Sequence, residues 1–249
     1  MKMKLMLVGL LAIANLALGQ PKVKSKNEQE AVLAVFNAQT PDQKIAAVDN
    51  LIAKFKDTEF KAIALEQAAE AAQQKGDSIN AILYGDRALE ADPKNFQAML
   101  LVSGQIAQTT QEFALDKDER LKRASKLAND AITTVNAAVK PNPQLTDEQW
   151  ESIKKDLISQ AHETLGVIAI VDKKYDQAVT ELKMALDGAA TPQAATMIRL
   201  AAAYNSAGKF DDGMAMADKL LATAGVPDNI KKMAQDEKQR AAKGKAGQK

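Results

Sequence analysis

Four stretches of the chain repeat one arrangement of small residues: "KGDSINAILYGDRAL", "DERLKRASKLANDAI", "DKKYDQAVTELKMAL" and "AGKFDDGMAMADKLL". In each, a small residue follows three positions after the turn-proximal Ser78, Leu121, Tyr175 or Phe210, giving Ala81, Ala124, Ala178 and Gly213. Seven further on stand Ala88, Ala131, Ala185 and Leu220. Upstream of each turn lies another helical stretch with a small residue at a matching place: Ala69, Ser103, Gly166 and Ala201. The residue before it is apolar each time: Ala68, Val102, Leu165 and Leu200. Small residues seven apart share one helix face and let a second helix approach closely. The spacing therefore predicts antiparallel helix pairs joined by tight turns and repeated along the chain.

The rest of the sequence agrees with an all-α chain. Only 4% of the 249 residues are aromatic although 46% are hydrophobic, so the excess is largely Ala, Leu, Ile, Val and Met, with strong helix formers prominent. Thr40-Pro41, Asp92-Pro93 and Thr191-Pro192 each set a capping side chain before a proline, predicting three helix starts. Thr146-Asp147-Glu148-Gln149 reads as a capping box ahead of Trp150. Stops or tight turns are expected at Gly76, at Asp172 to Lys174, at Gly208 and at Gly225.

The segment "LGVIAIVDKKYDQAVTELKMAL" resembles the tetratricopeptide repeat (TPR), a helix–turn–helix unit of about 34 residues. It carries Leu-Gly in the first helix, an aromatic after the turn and spaced alanines in the second. "LAAAYNSAGKFDDGMAMADKLL" adds Tyr204 and Phe210 at the aromatic places, and "GDSINAILYGDRALEADPKN" supplies the Ala-Asp-Pro that closes a repeat. His162 stands where a Trp is common, Gly213 replaces the first alanine of the second helix, and Leu220 the second. Ala178 and Gly213 lie about one repeat apart. The spacing from Ala81 to Ala124 is longer, which "TTQEFALDKDER" absorbs. That from Ala124 to Ala178 is longer still, taken by a long second helix and the linker "AAVKPNPQLTDEQW".

The resemblance covers roughly 59–224 and implies a right-handed solenoid of about four to five helix pairs. Residues 20–56 are expected to form an N-terminal pair, a degenerate repeat or cap. Repeats follow over 57–139, with an insertion at 109–120, and over 147–224 after a linker at 140–146. A polar helix over 225–243 is expected to cap the end, and 244–249 to be disordered. "FKDTEFKAIALEQAAEAA" is also similar to the first repeat of bacterial envelope TPR proteins, whose lipid-anchored members carry a Cys that this chain lacks.

The first residues carry a different signal. Lys2 and Lys4 precede an apolar stretch from Leu5 to about Leu18, ending in Ala17-Leu18-Gly19. That is the pattern of a secretory signal peptide over 1–19, cleaved near Gly19/Gln20, and it is short for a membrane span. Export to the periplasm or the medium is the expectation, with no stable membrane anchor after cleavage; retention of the N-terminus as an anchor is the other outcome. Loss of Lys2 and Lys4 leaves a near-neutral chain, which has no global attraction for nucleic acid. Zero Cys removes thiol chemistry and disulfides.

The chemical inventory points away from catalysis. One His and no Cys exclude Cys/His nucleophiles and the usual zinc sites. His162 is expected to be a packing residue inside a helix, without an obvious polar partner. Asp116/Asp118/Glu119, Asp147/Glu148 and Asp211/Asp212 sit where helices start, where negative charge is favourable. No cofactor or metal is implied, and Trp150 reads as core or staple packing.

Resemblance to the family implies that first helices line a concave, partner-binding groove. Projected onto this sequence, those positions are Glu66, Glu70, Gln73 and Gln74, then Gln97, Leu100 and Gln108. The later repeats give Gln160, Glu163, Val167 and Ile170, then Ile198, Arg199, Ala202 and Asn205. The family's carboxylate clamp uses Lys and Asn there, so capture of an acidic tail is disfavoured. The expectation is a non-enzymatic interaction scaffold of the bacterial cell envelope, binding a protein or peptide partner. The alternative is a carboxylate-based enzyme or accessory binder of glycan or small ligands. A desolvated carboxylate pair of raised pKa would favour it.

Overall fold

A computed structural model describes residues 21–247; the expected signal peptide and the last two residues lie outside them. The described residues contain eleven α-helices and no strand, and the chain divides by contact into two units, through Leu101 and from Val102. In the first, α1 (Lys26–Asn37), α2 (Pro41–Lys54), α3 (Lys61–Gln74) and α4 (Ser78–Ala91) pack in chain order. The division falls within α5 (Phe96–Thr109). In the second, α6 (Lys117–Ala137), α7 (Asp147–Val171), α8 (Tyr175–Gly188), α9 (Ala194–Ser206) and α10 (Phe210–Ala222) also pack each on the next. The last helix, α11 (Asp228–Gly247), lies against both α9 and α10.

The tight turns are of one kind. After α3, α7 and α9 the chain takes one residue into the left-handed region: Gly76 (φ 75°), Lys173 (φ 58°) and Gly208 (φ 74°). In each case the next amide reaches back into the last turn of the helix: Asp77 to Ala72, Lys174 to Ala169, and Lys209 to Tyr204, all at 2.9 Å. The left-handed residue's own amide bonds the carbonyl of Gln73, Ile170 or Asn205. These paired bonds are Schellman motifs, which satisfy carbonyls that a helix end leaves open. Two use glycine, which has no Cβ to oppose a positive φ, and one holds a lysine.

The predicted small residues form the seams. Ala81, Ala88, Ala124, Ala131, Ala178 and Ala185 are buried, as are Ala69, Ser103, Gly166 and Ala201 and the apolar residues before them. A Cβ on Gly166 would stand 2.6 Å from Leu182 Cγ, so α7 and α8 meet there at backbone distance. Ala169, Ala178, Val179, Leu182, Leu200 and Ala203 join into one core cluster of the second unit. Met197, Ile198, Leu220, Val226 and Ala234 make the next, closing α9 and α10 against α11.

Two predicted helix starts fall elsewhere. Thr40 and Thr146 each form a complete capping box with Gln43 and Gln149. Asp92, however, is the C-cap of α4, and its carboxylate bonds Lys94 N across a turn through Pro93. Helix α5 begins after Asn95, whose Oδ1 accepts from Ala98 N at 2.9 Å. Thr191-Pro192 likewise precede the start of α9, where Gln193 is the N-cap without a side-chain bond. Asp and Thr followed by Pro serve turns as well as caps, and the residues between decide which.

Lengths differ too. The 25 residues of α7 carry its first turns back to Asp147, so the first helix, as well as α6, absorbs the long spacing. Trp150 in those turns is buried. At the far end α11 continues to Gly247, through part of the segment expected to be disordered. Gly244 explains this: a Cβ there would lie 2.3 Å from Phe210 Cε1, so the helix is seated on the aromatic ring.

Candidate functional site

In the first unit, α3 brings together Glu66 and Glu70, one helical turn apart. The side chain of Glu66 faces inward: the residue is 5% exposed, and Asn95 Nδ2 donates to its Oε2 at 2.9 Å. Burial, opposed by that bond and reinforced by the charges of Glu70 and Asp92, pushes its carboxyl up to about 7. Glu70 is half-buried and accepts from Gln67 Nε2 at 3.1 Å; burial raises its pKa while Lys44 of α2 holds it down. Lys44 Nζ in turn donates to Gln67 Oε1 at 2.9 Å. Gln73, Gln74 and Gln97 are exposed. The first unit thus presents amides to solvent, and Glu66 is a correction: it belongs to the α3–Asn95 contact, not to an open surface.

In the second unit Gln108 and Gln160 are exposed. Arg199 of α9 donates through Nη1 to Glu163 Oε1 of α7, so these two expected binding residues are engaged with each other. Asn205 is buried, which is a second correction. Its Nδ2 donates to the carbonyl and Oε2 of Glu237 on α11, at 2.9 and 2.7 Å. Its Oδ1 has no hydrogen-bond partner. The last helix covers this position, and no local pattern around Asn205 announces that.

Two interactions escape prediction from the sequence. His162 has a polar partner after all: its Nδ1 lies 2.8 Å from Glu181 Oε2 across the α7–α8 seam. Asn95 joins α3 to the start of α5 by using both ends of its amide. The signal for Asn95 was available, since Asn is a favoured N-cap, but the Asp-Pro upstream drew the helix start away from it. Among the described residues, no group of three or more His, Asp or Glu could hold a metal, and no helix is long and apolar enough to cross a membrane.

Solved structures confirm the architecture. The protein is similar to TTC0263, a thermophilic TPR protein in Thermus thermophilus, with a TM-score of 0.56 and 18% identity, covering 84% of this chain and 98% of that one. The chain has the tetratricopeptide-repeat fold. Helices adjacent in the chain pack pairwise within the units, α1 on α2 and α3 on α4 in the first, α7 on α8 and α9 on α10 in the second. A second similar structure is the MamA RS-1 ArsTM double mutant, with a TM-score of 0.52, 11% identity, and coverage of 91% of this chain and 98% of that one. No protein-family model matches the sequence. No curated protein matches it by sequence.

Proposed function

We propose that this TPR-fold protein is a non-catalytic interaction scaffold of the bacterial cell envelope, binding a protein or peptide segment on the exposed faces of its first helices. The observation that carries the proposal is the contrast between the two sides of those helices. One side is sealed by Ala69, Ser103, Gly166 and Ala201, while Gln74, Gln97, Gln108 and Gln160, on other faces of the same helices, stand in solvent. Neutral amides donate and accept together, which suits the backbone of an extended or helical segment. A frame fixed by packed seams loses little freedom when it binds, so ordering costs fall on the partner. The envelope location rests on the signal-peptide pattern of residues 1–19.

The test is a photo-crosslinker placed in turn at Gln74, Gln108 and Gln160, all exposed, in an envelope-bearing host, with Lys183 on the second helix α8 as control. A discrete partner captured at one of the three and not at Lys183 is the expected result. Labelling no stronger than at Lys183 removes the scaffold reading.

One observation favours a second reading, a binder or enzyme working through carboxylates. Glu66 and Glu70 are desolvated neighbours with raised pKa values. Against it, Glu66 is sealed from solvent and commits an oxygen to Asn95, whereas a general acid needs to reach its substrate. Hydrolysis of a glycan panel, lost in Glu70→Gln, would establish that alternative.

A further inference from the structure

Glu66 is a buried acidic group of the first unit. Its hydrogen-bond donor, Asn95, is neutral. The charges that weigh on it, Glu70 on its own helix and Asp92 at the end of α4, are both negative. Lys44, from α2, is engaged with Gln67 and acts on Glu70. Gln97, from α5, is neutral. A carboxylate that is 5% exposed and faces neutral and negative neighbours pays for its charge with little return.

Asn95 ties this group to the backbone. Its Oδ1 is committed to Ala98 N, and its carbonyl accepts from Met99 N at 3.1 Å, so Asn95 caps the first turn of α5. With Oδ1 taken, the amide can turn only Nδ2 toward α3, and Nδ2 is what meets Glu66. The orientation of the cap and the seating of Glu66 are therefore one arrangement.

We propose that the Glu66–Asn95 contact is a pH-sensitive latch that holds the first turn of α5 against α3 when Glu66 carries a proton and loosens when it does not. Protonated, Glu66 places no charge in its buried position. Ionised, it accepts more strongly from Asn95, but burial and the two negative neighbours outweigh that bond, so it gains by swinging out to water and Asn95 then loses its partner. The proposal goes beyond the scaffold reading and stands without any partner.

Burial and the surrounding charges put the folded value at about 7, against an ordinary value of 4.5. The folded, latched form therefore binds the proton more tightly than an opened form with Glu66 in water. Opening grows as pH rises from the ordinary range through the raised value and then levels off. The difference corresponds to a rise in the opened fraction on the order of a few hundred-fold at most.

The experiment is amide hydrogen exchange of the full chain, read at Ala98 and Met99 between about pH 5 and pH 8. Rates are expressed as protection factors, which divide out the intrinsic pH dependence of exchange. Protection at both amides should fall across that range and stay flat in Glu66→Gln. Carbon-13 titration of the Glu66 carboxyl in the unaltered chain should show a midpoint near neutrality, a result that needs no variant to fold. In Glu70→Gln the fall should move to lower pH. Flat protection in the unaltered chain, the same fall in Glu66→Gln, or a carboxyl midpoint in the ordinary range would each overturn the latch.

Discussion

Gly213 lies directly beneath Asn205: a Cβ at 213 would stand 2.1 Å from Asn205 Oδ1. The departure from alanine in the last repeat thus has a cause in the previous helix. Asn205 occupies the volume that a methyl group on α10 would need, while its Nδ2 holds Glu237 of α11.

Gly213→Ala should destabilise the chain by about 1–3 kcal/mol, an overpacking cost that exceeds the helix propensity gained. The double variant Asn205→Ala with Gly213→Ala should recover part of that loss, because the clash is gone. Urea denaturation of the four chains completes the cycle. Additive effects would show that the two residues do not meet as described.

Asn205→Ala alone should free α11 more than it weakens the rest. The helix buries few side chains, Ala234 and Ala241 among them, and its ion pairs Lys238–Asp218 and Lys245–Asp211 are exposed ones. Exposed pairs hold little. Hydrogen exchange along 228–247 should accelerate several-fold while α7 and α8 keep their protection, and added salt should have the same effect in kind.

Lys173 is the non-glycine residue in a left-handed turn whose counterparts are Gly76 and Gly208. Lys173→Gly should raise stability by about 0.5–1 kcal/mol, the relief of the Cβ outweighing the exposed Glu112 pair that is lost. Gly76→Ala and Gly208→Ala should each lower it by about 1 kcal/mol. Thermal melts check the signs; a loss in Lys173→Gly would mean that the Glu112 pair and the position of Lys173 Nζ over the Phe113 ring, 5.9 Å from its centre, outweigh the backbone.

Two carboxylates should pull the pH dependence in opposite directions. Asp172 is held low by a hydrogen bond from Lys174 and by Lys117. Its folded value lies below its unfolded one. Its contribution is therefore present above the ordinary carboxylate range and is lost as pH falls through the lowered value. Asp172→Asn should cost at most about 1 kcal/mol near pH 7 and progressively less as pH falls below the ordinary carboxylate range. Glu66 has the reverse sign, so Glu66→Gln should stabilise near pH 8 by up to about 3 kcal/mol and be close to neutral near pH 4. Denaturation midpoints of both variants across pH separate the two.

Much of the frame is legible in the chain because it is local. The left-handed turn at Gly76, the capping boxes at Thr40 and Thr146, and the buried Ala81, Ala178 and Ala185 all follow from residues within a turn or two. The candidate site is less legible because the fate of a first-helix side chain is set by whatever lies over it. Asn205 is buried by α11, 32 residues away, and Glu66 by Asn95, 29 away. His162 meets Glu181 across a seam. Asp92-Pro93 reads equally well as a start or a stop until Asn95 takes the cap.

The alanine and glycine seams have an evolutionary consequence. Where helices touch at backbone distance, as at Gly166 and Leu182, the allowed substitutions are few and nearly all enlarging. The exposed amides at Gln73, Gln97, Gln108 and Gln160 have no such restriction. Mutational drift in this lineage is thereby channelled onto the outer faces. Single substitutions on those faces leave the packed frame as it is.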